Sequence, residues 1–204
     1  MKNIVIMVHG LGRSRFSMLR PGLFLKKRGF SVFYYSYNST RDILEGHFAK
    51  FAEYLSFVIA KHADAEINFV THSMGGILVR GVLTPEFIAN FANLGRIVML
   101  APPNRGSNMA ARLSKSGILR EILKPLEELS DAPDSKVNTL SVPQNMKIGI
   151  ISGKFDAKVK PKEAFLTEAE EYLSVDAYHT FIMNRRDVMK AILNFLNRGT
   201  FERG

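Results

Sequence analysis

The segment Ile67-Asn68-Phe69-Val70-Thr71-His72-Ser73-Met74-Gly75-Gly76-Ile77-Leu78-Val79-Arg80 changes its structural pattern in the middle. Up to Val70 it is a short apolar, β-prone run, as expected of a strand buried on both faces. From about Met74 to Leu83 it reads as a helix. A strand that passes at once into a helix must turn sharply, and the turn holds the residue at its apex, Ser73, out at the top of a sheet. Gly75 and Gly76 let the helix start close against the strand. The pattern that usually marks such a turn is G-x-S-x-G. Here the first glycine is replaced by Thr71, a β-branched residue where crowding is worst. A serine before a helix is commonly only an N-cap. The strand on one side and the helix on the other make Ser73 a candidate nucleophile.

Outward from this turn, strand-like and helix-like segments alternate. Strands are predicted over residues 3–8, 30–36, 66–71, 96–101 and 147–152, with a weaker sixth over 172–177. Helices are predicted over 16–28, 41–62, 162–170 and 184–197. Such alternation implies parallel βαβ units and one central sheet with helices on both faces, the α/β class. Residues 103–146 are too long for a simple connection. They hold a helical stretch at about 109–129 and then a polar, proline-broken segment over 130–135. A cap or lid inserted over the carboxyl end of the sheet is expected, where ligands bind in open α/β sheets. The 204 residues are expected to form a single domain, 1–204.

Composition narrows the chemistry. The absence of cysteine excludes disulfides, thiolate metal sites and a cysteine nucleophile. No apolar run is long enough to span a bilayer. The apolar residues Ile4 to Val8 stop at His9-Gly10 with no small-residue cleavage site after them, so a cytoplasmic protein is expected, with export left open. The formal net charge of +9 fits either a solvated basic surface or attraction to an anionic membrane or another acidic partner. Nucleic acid is disfavoured, because the Lys and Arg residues are scattered and no binding motif accompanies them. Oligomeric state is not legible.

Three further segments bear on Ser73. The first strand ends in Val8-His9-Gly10-Leu11-Gly12. In the α/β-hydrolase fold an oxyanion hole is made by the backbone N–H after the nucleophile and by one from a loop after an early strand. Those donors would be Met74 and Leu11. His9 is expected to shape the loop. In the same fold the acid and the histidine follow the serine in that order. Asp156 lies on the loop after the strand 147–152, whereas Asp131, Asp134 and Asp176 follow no clear strand end. His179 follows the last strand and is the only histidine downstream of Asp156. His47 and His62 lie in or at the end of a helix, and His72 is expected to point away from Ser73.

The chain resembles small bacterial lipase- and esterase-like α/β-hydrolases nearly end to end. The resemblance rests on the opening His9-Gly10-Leu11-Gly12-Arg13-Ser14 and on Val70 to Arg80. It continues through Ala101-Pro102-Pro103-Asn104-Arg105-Gly106-Ser107, Asp156-Ala157-Lys158-Val159 and His179-Thr180-Phe181-Ile182-Met183. Threonine at position 71 is normal for that group, while Asp-Ala-Lys-Val departs from the more usual Asp-Gly-Lys-Val. The resemblance implies a Ser73, Asp156 and His179 triad with Leu11 and Met74 as oxyanion donors. The ordered triad leads to the expectation of a small-molecule or lipid ester substrate, and that mechanism requires no cofactor and no metal. Acyl transfer or deacylation of lipid or protein at anionic membranes, and a non-catalytic binding module on the same scaffold, are the alternatives. The loop Pro102 to Ser107 either borders the pocket or serves as a structural turn.

Overall fold

Strands β1 (Lys2–Val8), β2 (Ser31–Tyr35), β3 (Ala65–His72), β4 (Leu94–Leu100), β5 (Ile148–Gly153) and β6 (Glu171–Val175) form one all-parallel sheet. Their order is β2-β1-β3-β4-β5-β6 in the computed structural model, which describes residues 2–202. Alternate residues of each central strand enter two separate cores. Ile4, Ile6, Val8, Ile67, Phe69, Ile97 and Met99 pack on one face, under α2 (Leu44–Lys61) and α3 (Met74–Val82) once α1 (Leu19–Lys26) has crossed to the other. That other face takes Val5, Met7, Val70, Val98, Leu100 and Ile151. It is covered by α1 and by the last helix, Arg186–Arg198. Burial on both sides is why the central strands are continuous apolar runs. Phe51, Phe69 and Phe195 are fully buried, each contributing about 1.5–3 kcal/mol of transfer free energy.

The strand order reverses direction between β1 and β3, and a crevice forms outside the carboxyl ends of strands at such a point. Val8, the last residue of β1, is in register with Thr71 of β3. The register therefore brings the His9-Gly10-Leu11 loop alongside Ser73.

Two helical expectations need correction. The stretch 109–129 is not one helix. After a short α4 (Pro85–Ile88), it divides into α5 (Asn108–Ser114), α6 (Gly117–Ile122) and a 3-10 turn at Lys124–Leu126. Ser116 and Gly117 interrupt the first piece. Pro125, which lacks an N–H, cannot continue the second. Downstream, α7 covers Lys136–Thr139 and α8 only Pro161–Ala164, so most of the helix expected over 162–170 is missing. Its first turn does form, with the Glu163 side chain accepting the Lys160 N–H at 2.8 Å. Phe165 is already extended, with ψ 137°, and the Glu170 N–H bonds to the Ile148 carbonyl at 2.9 Å. Pairing with β5 captures the chain before a second turn can form. The final helix, α9, ends at Arg198, with Gly199 left-handed at φ 79° as its cap.

Arg80, on α3, is a buried cation with no carboxylate in contact among the described residues. Its guanidinium donates to the carbonyl of Asn104 at 2.9 Å, to that of Leu140 at 2.7 Å and to that of Ser141 at 3.4 Å. These carbonyls lie at the two ends of the long segment between β4 and β5. Arg80 thus fastens both ends of that segment to the helix that follows Ser73. Burial lowers its pKa to about 10, which leaves it protonated near neutral pH. Arg80→Met would leave several buried acceptors without donors, each worth roughly 1–3 kcal/mol. Relief of the buried charge offsets part of this, so a net loss of about 2–4 kcal/mol is expected. Thermal denaturation should show a drop in Tm on the order of 5–15 °C.

Candidate active site

Ser73 sits between β3 and α3 at φ 53° and ψ −126°, a strained conformation for a residue with a side chain. Its N–H donates to the Leu100 carbonyl at 2.8 Å, which pins the turn to β4. Although Ser73 occupies the N-cap position, its side chain makes no capping hydrogen bond. The hydroxyl instead lies 3.0 Å from His179 Nε2. Two glycines make this turn fit. A Cβ on Gly75 would sit 2.5 Å from the Val8 carbonyl oxygen, and one on Gly10 would sit 2.8 Å from Ser73 Cβ. The structure also accounts for Thr71. Its hydroxyl would be 3.3 Å from a Cβ on Gly76, so the glycine after the usual pattern concedes the space that threonine takes.

His179 begins a 3-10 turn, His179–Asn184, just after β6. Asp156 lies on the loop after β5. The Asp156 Oδ2 accepts from His179 Nδ1 at 2.7 Å, and Oδ1 accepts the N–H groups of Lys158 and Val159, both at 2.8 Å. With the Nδ1 proton held by the carboxylate, Nε2 is the tautomeric acceptor facing the Ser73 hydroxyl. Asp176, a competing carboxylate from the sequence, is an exposed partner of Lys154 at 2.9 Å. Asp131 accepts from the Asn108 side chain at 3.2 Å. Asp134 stays an exposed residue of the polar segment.

Arg13 N–H bonds to the Gly10 carbonyl at 3.3 Å, closing a turn with Gly12 at φ 65° in its third position. The Gly12 N–H is taken by Ser39 Oγ at 3.0 Å. The N–H groups of Leu11 and Met74 have no hydrogen-bond partner among the described residues. Both therefore remain available beside Ser73.

The other histidines are structural. His9 is buried, stacks on Tyr37 at 4.3 Å and lies 3.0 Å through Nδ1 from the Gly10 carbonyl. His47 meets the same tyrosine edge-on at 5.2 Å. His72 packs its ring 4.8 Å from that of His179 and has a task that its position alone does not suggest. Its Nε2 donates to the backbone carbonyl of His179 at 3.0 Å, tying the serine turn to the histidine loop. Burial is the main cause that lowers the pKa of His9, His47 and His72, the last well below the ordinary 6.5. These groups are neutral when folded, and the unfolded chain takes up more protons as pH falls through 6.5. Stability is therefore full above that value and is lost as pH drops toward the folded pKa values. The Tm should fall steadily between about pH 7 and pH 5 in calorimetric scans. A flat profile there would contradict the assignment of these rings as buried and neutral.

A cavity of about 220 Å³ opens beside Ser73 and His179. Leu11 and Gly12 border it on one side, and Lys158 and Val159 on another. Its apolar wall comes from the segment between β4 and β5, through Met109, Ala110, Leu113, Leu123, Leu126 and Leu129. The Pro102–Ser107 loop serves both roles left open for it. Pro103 and Ser107 line the cavity, whereas Asn104 is buried and bonded to Arg80 and to the Ala164 carbonyl. Ser107 Oγ donates to the Lys158 carbonyl at 2.6 Å, joining this loop to the loop of Asp156. Sequence reasoning missed Arg13, Ser107 and Lys158 at the site. Their only signal was membership of the segments carrying the resemblance. Among the described residues no cluster of three or more His, Asp or Glu is placed to hold a metal ion.

The mature form of lipase BlEst2 from Bacillus licheniformis is similar in fold. It is 18% identical, with 98% of this chain and 92% of that chain covered and a TM-score of 0.73. A lipase-esterase related protein from Clostridium acetobutylicum is 16% identical over 95% of this chain and 94% of that chain, with a TM-score of 0.66. Phospholipase PlaB from Legionella pneumophila is 21% identical over 75% of this chain, with a TM-score of 0.60, but the match spans only 39% of that longer chain. Identities this low show a shared fold. No protein-family model matches the sequence, and no curated protein sequence matches it.

Proposed function

We propose that this chain, which has the α/β-hydrolase fold, is a serine hydrolase that cleaves carboxylic esters through an acyl-enzyme on Ser73. The observation that carries this reading is the hydrogen-bonded series Ser73, His179, Asp156, with contacts of 3.0 and 2.7 Å, opening on an apolar cavity. Ser73 Oγ attacks the ester carbonyl carbon while His179 Nε2 takes its proton. The carbonyl oxygen becomes an oxyanion facing the Leu11 and Met74 N–H groups, each worth about 10²–10³ in rate. Collapse of the tetrahedral adduct breaks the C–O bond, and His179 gives its proton to the departing alcohol. Water then attacks the acyl-enzyme by the same route in reverse roles, releasing the acid and restoring Ser73. Asp156 keeps the imidazole oriented and stabilises its charged form.

A cavity of about 220 Å³ lies below the range of roughly 300–1,000 Å³ usual for drug-sized ligands. Short and medium acyl chains should therefore be preferred. A panel of p-nitrophenyl esters of increasing chain length tests both points at once. The expected result is hydrolysis with kcat/KM highest at short to medium length. No hydrolysis of any ester would count against the reading. Highest activity on the longest chains would mean that the segment over residues 103–146 moves aside as a lid. Acyl transfer would use the same acyl-enzyme, with an alcohol in place of water. It is distinguished by adding an alcohol acceptor and measuring the ester product.

A further inference from the structure

Two cations stand at the mouth of the cavity, and no acidic side chain lines it. Arg13 follows the turn that carries Leu11, and its guanidinium sits 6.0 Å from the centre of the Phe181 ring. Lys158 lies two residues after Asp156 and is exposed. Neither is in an ion pair among the described residues. Asp156 is buried behind His179, with both its oxygens already engaged by hydrogen bonds. Both cations act on the buried His72 ring beside Ser73, where they help to keep it neutral. Deeper in, the wall is apolar, with the buried Ala110, Leu126, Leu129 and Val159 among its side chains.

An arrangement with positive charge at the rim and hydrocarbon within fits a ligand of the opposite build. We infer that Arg13 and Lys158 select esters that carry an anionic group, carboxylate or phosphate, on the alcohol side, while the acyl chain enters the apolar wall. This deepens the ester-hydrolase reading and rests on it. The anionic group belongs either to a monomeric ester or to a lipid headgroup. Uncompensated charge of one sign at a low-dielectric cleft raises the local concentration of the opposite charge, by about tenfold or more. The effect must fade with salt, because the Debye length shrinks from about 30 Å at 0.01 M to about 3 Å at 1 M.

The test compares 4-carboxyphenyl butyrate with 4-carbamoylphenyl butyrate, in wild type and in the Arg13→Gln, Lys158→Gln double variant. The ratio of the two kcat/KM values is the readout, so differences in leaving group cancel between proteins. Vesicles of phosphatidylglycerol and of phosphatidylcholine form a second arm, read as fatty acid released. The ratio is expected to fall on the order of tenfold in the double variant, and to fall with salt in the wild type. A preference for the monomeric carboxylate identifies a soluble source of the anion. A preference seen only on phosphatidylglycerol vesicles identifies a headgroup. Equal ratios in both proteins and both arms, with Ser73-dependent hydrolysis intact, overturn the inference and leave the ester-hydrolase reading standing. If no ester is cleaved, titration with 4-butyramidobenzoate, an amide of the same shape, separates the two. Weaker binding by the double variant then supports the anion site without ester hydrolysis, and equal binding or none overturns it.

Discussion

Ser73→Ala is expected to lower kcat for p-nitrophenyl esters by about 10⁴ to 10⁶ with KM little changed, the loss seen when a serine nucleophile is removed. The loss has one source. Without Oγ, no hydroxyl among the described residues is within reach of His179 Nε2 to attack the carbonyl, since the 3.0 Å contact with Ser73 is the one hydroxyl bonded to the imidazole there. Turnover left in the variant would come from the Leu11 and Met74 N–H groups and from binding in the cavity. The fold should be unaffected. The Ser73 side chain caps no helix, and the turn is held by backbone atoms, including the bond from its own N–H to Leu100 at 2.8 Å. Residues that act as a unit are not additive. Ser73→Ala combined with His179→Ala should therefore be scarcely slower than either alone. Additive losses would contradict a shared proton path.

Asp156→Asn should lower kcat by about 10³ to 10⁴ at unchanged size and shape. Asp156 accepts three hydrogen bonds, from His179 Nδ1 and from two backbone N–H groups. Asparagine has only one acceptor atom in its amide group. If that oxygen takes the backbone donors, the NH₂ faces Nδ1 and forces the ring into the other tautomer. Nε2 then carries a proton and cannot take one from Ser73. Rotating the amide to serve the histidine leaves NH₂ facing the two backbone N–H groups, which disrupts the loop. The first arrangement predicts a kcat loss with a normal Tm, and thermal denaturation beside the kinetics tells the two apart.

The strands are legible in the sequence because burial on both faces makes them apolar throughout, as in Ile4 to Val8. The meeting of Ser73, Asp156 and His179 is legible for a related reason. Each follows the carboxyl end of a strand, and in a parallel sheet all those ends lie on one side. Helix extent is less legible. Apolar spacing over 109–129 does not show that Pro125 and Ser116 divide it, nor does the sequence after Ala164 reveal that Glu170 is drawn to Ile148 of β5. Arg80 and His72 look like ordinary helix and flanking residues. What they do depends on carbonyls at Asn104, Leu140 and His179, brought near only by tertiary structure. Arg13 and Lys158 are solvated charges among many in a chain of net charge +9, and only the folded cavity singles them out.

Activation of Ser73 as a nucleophile by His179 is tested by covalent labelling with a fluorophosphonate probe, with the modified peptide identified by mass spectrometry. One adduct is expected, on Ser73, formed rapidly in the wild type, absent in Ser73→Ala and strongly slowed in His179→Ala. Labelling at another residue, or labelling of Ser73 that does not depend on His179, would contradict it.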